Sequence, residues 1–410
     1  MTQRVLEDPA FKFRKNLFYT IGTGFIPLKG IQIGNVYTFY SYNQVEYSRI
    51  KFGLRTDPNN KFPVHFDGYL AYGTRDKEWK YRIGTFSNLT PKHKATRIGA
   101  SYQYDIDQLG RSYNQIALDH IVGSLSQIGN SNSRNYLRQF EAFFEKEITT
   151  GLIGRVTYFN RNTSPTLSNT FGRWNDDGSV TFEDNYITSG FNATVKFSYL
   201  YKEIKGTFYD KKDLFKENRK FPDLTLSYEF ADRATFKSDY SYQKIKVNIH
   251  QRVNAKKLGY FNYSIEGGQT IGTVPHTSLD IPFGNQLIFN DAAAFNLMRF
   301  MEFGADQYIA LQFDHHFDGL LLDRIPLINK LKWRTFVFGK SFIGNLSTRN
   351  NQQTYLFPAG MQAINNAYVE VGFGIENIFK IASMDFTWRL TPGLGEYYTF
   401  LVKPSFKLSF

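Results

Sequence analysis

Residues 368–390 read YVEVGFGIENIFKIASMDFTWRL, and the spacing within them decides the fold class. Val369, Val371, Phe373 and Ile375 alternate with Glu370, Gly372, Gly374 and Glu376. After a short turn, Ala382, Met384, Phe386, Trp388 and Leu390 alternate with Ser383, Asp385, Thr387 and Arg389. A period of two places alternate side chains on opposite faces of a strand. Each half is therefore a ribbon with one oily side and one polar side.

The same pattern recurs in QKIKVNIH (243–250), DLTLSYEF (223–230) and LVKPSFKLSF (401–410). Segments of this kind predict strands near 16–26, 45–55, 63–74, 77–87, 94–105, 135–148, 150–162 and 184–199. The second half adds 222–231, 239–251, 257–270, 305–316, 330–341, 366–375, 380–390 and 401–410. The even count of about sixteen is that of a bacterial outer-membrane barrel. Connection lengths form a second pattern. The long gaps 27–44, 106–134, 163–183, 271–304 and 342–365 all follow odd-numbered strands, while most turns after even-numbered strands are short. Long loops then share one end of an up-and-down barrel. The exceptions on the other end are 200–221 and 317–329.

Composition agrees with this class. The 410 residues include 40 Phe, 27 Tyr and 4 Trp, yet the mean hydropathy is -0.39. Aromatic residues favour strands, and here polar residues are interleaved with them. No run approaches the roughly 20 apolar residues of a spanning helix. In hydrocarbon an unpaired backbone group costs several kcal/mol, so a spanning sheet must close. A charge on its lipid face costs about 2–4 kcal/mol at mid-membrane, which places the charged alternate face on the lumen. The expectation is an all-β transmembrane antiparallel up-and-down β-barrel in the cell outer membrane, with outer-membrane lipid and lipopolysaccharide as surroundings. A soluble β-sandwich, whose strands also alternate, is the competing architecture.

The barrel is expected over 16–410, with 1–15 as a periplasmic linker from a region preceding it. The start, MTQRVLEDPAFKFRKN, has no signal-peptide core, which suggests a chain cut from a longer precursor. The net charge of +12 is spread along strands and turns, without a nucleic-acid-binding signature, and reads as a solvated basic surface.

No catalytic or cofactor site is expected. The chain has no Cys, GxSxG or HExxH. His315 and His316 are adjacent and point to opposite faces of a strand, so they cannot readily share one ion. Asp119 and His120 lie in a loop without an obvious partner Ser. Segment 271–304 is too long and too apolar for a surface loop. Phe289, Phe295 and Met298 need burial beside Arg299 and Glu302, either by folding back into the lumen or by packing over the mouth as a lid.

Several passages together resemble a known family: EYSRIKFGLRTDPNNKF, DGYLAYGTRDKEWKY, SYQYDIDQLG, FNLMRFMEFGADQYIAL, HHFDGLLLDRIPLINKLKWR and YVEVGFGIENIFKI. They are similar to the C-terminal barrel of a Bacteroidota outer-membrane family of unknown function. Its members carry an N-terminal carboxypeptidase-regulatory-like domain, a non-catalytic sandwich. That barrel is distantly similar to the surface-antigen superfamily, which inserts proteins into the outer membrane or secretes them across it. The resemblance implies sixteen strands and a loop after the eleventh that enters the lumen with an Arg-Gly motif. Segment 271–304 occupies that place, but the chain contains no Arg-Gly dipeptide. Phe406, Leu408 and terminal Phe410 resemble the C-terminal signal read by the barrel-assembly machinery. Three roles follow: assembly or translocation with envelope protein partners, a gated or passive channel, or a structural or surface-interaction barrel.

Overall fold

The period-two segments become one continuous antiparallel sheet. The computed structural model describes residues 8–58, 62–90, 96–110, 120–128, 134–166, 169–198, 221–364, 366–392 and 398–406. Strand β1 is broken into Ile31–Gly34 and Tyr40–Asn43, both paired to β2 (Tyr47–Thr56). There follow β3 (Val64–Gly73), β4 (Trp79–Asn88), β5 (Thr96–Gln108), β6 (Arg134–Thr149), β7 (Leu152–Pro165) and β8 (Tyr186–Phe197). The second half is β9 (Asp223–Ala231), β10 (Tyr242–Asn254), β11 (Tyr260–Gly272), β12 (Gln307–His316), β13 (Arg334–Asn345), β14 (Tyr368–Ile378), β15 (Ala382–Arg389) and β16 (Phe400–Phe406). Each strand pairs with its sequence neighbours, the arrangement of an up-and-down barrel.

Two expectations about the start of the sheet are corrected. Residues 16–26 are not a strand: Pro9–Thr23 is helix α1, followed by the short strand Phe25–Pro27. Asp8 caps the helix by accepting from Ala10 N, Pro9 occupies its first turn, and Gly24 ends it with φ 76°. The first long strand lies instead at 31–43, inside the expected loop 27–44. It is interrupted by a 3-10 turn at Val36–Thr38, whose N-terminus is capped by the Asn35 side chain. The broken strand counted once, the sheet has sixteen strands among the described residues, flanked by Phe25–Pro27.

The alternation has a physical outcome in the last strands. Val371, Phe373, Trp388 and Val402 point outward and are exposed, whereas Glu370, Asp385, Arg389 and Lys403 point inward and are buried. The outward face is an unbroken apolar belt, with Phe52 60% and Ile83 63% exposed. Such a belt resembles the hydrocarbon-facing band of transmembrane barrels. Inside, charges pair across strands: Arg49 on β2 holds Asp105 on β5 at 2.6 Å, and Arg161 on β7 holds Glu229 on β9 at 3.2 Å.

The connections after odd-numbered strands include the long 109–133, 166–185, 273–306 and 346–367. At this end Phe171–Trp174, Val180–Glu183 and Tyr355–Leu356 form a small second sheet. Phe171, Tyr186, Tyr240, Val274, Leu279, Tyr355 and Met361 join these loops to the barrel rim in one apolar cluster. The expected loop 200–221 lies almost entirely outside the described residues.

On β13, both Phe336 and Phe338 point inward, against the polar lumen that simple alternation predicts. They fit because glycines face them: Phe336 pairs with Gly374 and Phe338 with Gly372 on β14. A Cβ on Gly374 would stand 2.3 Å from the Phe336 ring. Gly374→Val is therefore expected to destabilise the barrel by about 1–3 kcal/mol. The readout is a lower temperature for loss of the folded band in heat-modifiability gels, with Phe336→Ala restoring part of it.

Candidate functional site

The inner wall of β12–β16 carries an unusual density of buried polar groups, and segment 273–306, here loop 11, lies against them. Lys340 of β13 donates to the carbonyls of Ala292 at 2.8 Å and Ala294 at 2.5 Å. Glu370 of β14 accepts from Asn296 N at 2.8 Å and Leu297 N at 2.7 Å. Lys403 of β16 donates to Asn285 O at 2.9 Å, Gln312 of β12 donates to Ala293 O, and Asn290 donates to Asp385 of β15. An irregular segment has no ladder to satisfy its backbone, and an unpaired buried backbone group is costly. Side chains of the wall take the place of the missing ladder.

Charge and packing complete the attachment. Glu302 and Arg389 form a two-pronged ion pair, 2.7 and 3.2 Å, with both side chains fully buried. Arg389 also lies over the Tyr368 ring at 4.7 Å. Phe295, Met298 and Phe303 of the loop pack on Tyr308, Phe342 and Tyr368 of the wall. Phe295 meets Tyr368 edge to face at 5.3 Å. On the opposite shoulder, Asp280 is held by Lys246 at 2.7 Å, Lys244 at 3.3 Å and the Thr270 hydroxyl at 3.1 Å.

The loop's anchors are the inward residues of β12–β16, while Val274, Leu279 and Met301 join the rim cluster. Phe295, Met298 and Glu302 are brought together and buried; Phe289 and Arg299 are half-buried at the margin. Phe406 is the last residue of β16, paired with Ala382; Leu408 and Phe410 lie outside the described residues. Sequence reading had not singled out Asp280, Lys340, Glu370, Arg389 or Lys403. Their signal was available only as inward charges clustered on consecutive strands.

In the Glu302–Arg389 pair the loop carries the acid and the wall supplies the arginine. His316 sits between Asp314 and Glu376, at 2.8 and 2.9 Å, stacked on Tyr260 and Phe336. His120 accepts from Val122 N and caps the short helix Ile121–Leu125, here α2. Among the described residues no group of three His, Asp or Glu is placed to hold a metal ion.

The loop does not fill the whole interior. Beside it a cavity of about 890 Å³ is lined by polar residues of β5–β10, including Gln139, Arg155, Arg161, Glu229 and Lys244. At the junction of first and last strands, the ladders among the described residues join β16 to β15, and β1 to β2 and Phe25–Pro27. There loop 11 meets the 109–133 connection through a Gln127–Leu287 bridge, and Asn290 N donates to Pro404 O of β16 at 2.8 Å. Helix α2 stands beside β1, with His120 stacked on Tyr37 at 5.2 Å.

Breaking one side of a buried ion pair leaves an uncompensated charge and costs about 3–5 kcal/mol. Arg389→Met is thus expected to release loop 11 and make 273–306 sensitive to protease while the barrel stays folded. The double variant Glu302→Gln with Arg389→Met should recover most of the protection.

His276 lies in loop 11 beside Phe171 and Phe357, and burial pushes its imidazole down to about 4. A released imidazole takes up a proton near pH 6.5, so docking is unaffected above that pH and weakens as pH falls toward 4, by about 3 kcal/mol in total. Hydrogen exchange of 273–306, corrected for intrinsic rates, should accelerate across that window. His276→Phe should flatten this response.

The geometry can be set beside known proteins. The fold is similar to the crystal structure of BamA from Haemophilus ducreyi lacking POTRA domains 1-3, with a TM-score of 0.52 and 10% identity over 91% of this chain and 70% of that chain. No curated protein matches the sequence. Residues 28–356 match the model described as "Family of unknown function (DUF5686) C-terminal domain". The chain belongs to that family, and the barrel is its C-terminal domain.

Proposed function

We propose that this chain is an integral outer-membrane barrel that assists assembly or translocation of other outer-membrane proteins. The observation that carries this reading is the edge of β16. Among the described residues its ladder runs to β15, and Asn290 N of loop 11 donates to Pro404 O. Pro404 has no N–H, which suits an edge strand and not the interior of a closed ladder. A strand edge beside an apolar belt is a template on which an incoming strand can add its hydrogen bonds. The implied similarity to the surface-antigen superfamily and the fold likeness to BamA support the same reading.

In this reading the long odd-numbered connections face the cell exterior and the even-numbered turns face the periplasm. Lipid and lipopolysaccharide surround the belt, and the barrel-assembly machinery inserts the chain. The role is non-catalytic and needs no cofactor. A carboxypeptidase-regulatory-like domain ahead of the barrel, as in the Bacteroidota family it resembles, would supply periplasmic contacts.

The polar cavity of about 890 Å³ favours a second reading, a gated channel. The two differ in what they predict. With the assembly role, depletion lowers other outer-membrane proteins severalfold, and a photo-crosslinker at Val402 captures barrel precursors. Refolded protein in planar bilayers is then silent or erratic. Unchanged abundance together with steady conductance overturns assembly and selects the channel.

A further inference from the structure

Helix α1 is amphipathic in an inverted sense. On a 100° wheel Ala10, Phe11, Phe13, Leu17, Phe18 and Ile21 fall within an arc of about 160°. Lys12, Lys15, Asn16, Tyr19, Thr20 and Thr23 occupy the rest of the wheel. A helix lying on a protein normally buries its apolar stripe. Here no residue of the helix is buried, and Phe13 and Phe18 are 69% and 72% exposed.

At its C-terminal turn the polar side meets the start of the sheet. Tyr19 OH accepts from Gln32 of β1 at 2.8 Å, and Thr20 donates to Phe25 O at 3.2 Å. From a neighbouring position, Tyr37 OH donates to Ile21 O. Gly24 closes the helix, its N–H bonded to Thr20 O, and fixes the exit into Phe25–Pro27. These contacts hold the last turn of the helix at the start of the sheet and leave its phenylalanines exposed.

Two further observations say what covers that arc. The first is continuity. Phe25–Pro27 pairs with the start of β1, whose Ile31 and Ile33 are exposed on the outward belt, as are Ile26, Leu28 and, on β2, Phe52 and Leu54. Ile31 pairs with Thr56 at the end of β2, so the helix joins the belt at the end bearing the even-numbered turns. The second is charge. Residues 9–23 contain Lys12, Arg14 and Lys15 and no carboxylate. Arg14 falls within the apolar arc, where a long stem can carry its guanidinium out to a phosphate.

We propose that α1 lies in the phospholipid leaflet bordering the even-turn end of the barrel, its phenylalanines among the acyl chains and its cations at the phosphates. This rests on the reading of the barrel as membrane-spanning. A basic helix with a large aromatic face and a polar face is the composition of an interfacial helix. The placement would hold the segment before β1 flat against the membrane at the even-turn end.

The chain has no cysteine, so single-Cys labelling needs no background substitution. Full-length Phe18→Cys, Phe13→Cys, Lys15→Cys and Phe52→Cys are labelled with an environment-sensitive fluorophore. They are then refolded into vesicles containing phosphatidylethanolamine and phosphatidylglycerol with spin-labelled lipids, and checked by gel shift. The expected result is quenching at Phe18 and Phe13 within about twofold of the belt position Phe52, with weak quenching at Lys15. Quenching at Phe52 with none at Phe13 or Phe18 overturns the helix placement and leaves the barrel reading intact. Absence of quenching at Phe52 in folded protein overturns the membrane reading, and this placement with it. Arg14→Glu with Lys15→Glu should reduce quenching at Phe18 in these vesicles but not in pure phosphatidylcholine; equal quenching in both overturns the phosphate contact.

Discussion

The inner wall of β12–β16 and the backbone of loop 11 satisfy each other's polar groups, and the form of the interior depends on that exchange. Lys340, Glu370 and Lys403 would be costly inside a narrow lumen without partners. The carbonyls and amides of 285–297 would be equally costly without a ladder. Joined, they leave Lys340 bonded to Ala292 and Ala294, Glu370 to Asn296 and Leu297, and Lys403 to Asn285. The Glu302–Arg389 pair then fixes register between loop and wall, because a bidentate guanidinium tolerates little displacement.

The wall and the belt are two faces of the same strands. In β14 and β15 each inward anchor alternates with an outward apolar residue: Glu370 with Val371, Asp385 with Phe386, and Arg389 with Trp388. A one-residue slip of β15 against β14 would put Asp385 and Arg389 on the belt and Phe386 and Trp388 on the loop. The lumen anchors therefore enforce the same register as the belt. Strand pairing and loop docking are coupled through sequence parity alone.

Parity was also what made most of the barrel legible. Inward Glu370 and outward Val371 are distinguishable from their positions in YVEV, and the same alternation repeats in DLTLSYEF and QKIKVNIH. The start was misread for a definite reason: in NLFYTIGTGFI, Leu17, Tyr19 and Ile21 fit a period of two, while Leu17, Phe18 and Ile21 fit 3.6 equally well. The Asp8, Pro9 and Gly24 signals should have decided for a helix. β1 was hidden because Gly34 and the Val36–Thr38 turn interrupt its alternation. For loop 11, apolar content showed that burial was required but not where. The location depends on wall residues 10 to 120 positions away, and no local pattern encodes a pairing of Glu302 with Arg389 or of Asn285 with Lys403.

The asymmetry of the interior bears on what the barrel can do. Loop 11 occupies the side of β12–β16, while β5–β10 enclose the polar cavity. Above that cavity Tyr186, Tyr240, Tyr242 and Leu279 join the apolar cluster of the odd-end connections. Leu279 of this cap belongs to the same segment as Asp280, which β10 and β11 hold through Lys244, Lys246 and Thr270. Movement of the cap is thus opposed by buried charge pairs and not by apolar contact alone. The junction of β16 with β1 has a different construction. There loop 11 is bonded both to the 109–133 connection, through the Gln127–Leu287 bridge and the Gln286–Ile128 and Ser126–Ile288 hydrogen bonds, and to the last strands, through Asp385, Lys403 and Pro404 O. The same segment thus braces both the odd-end cluster and this junction.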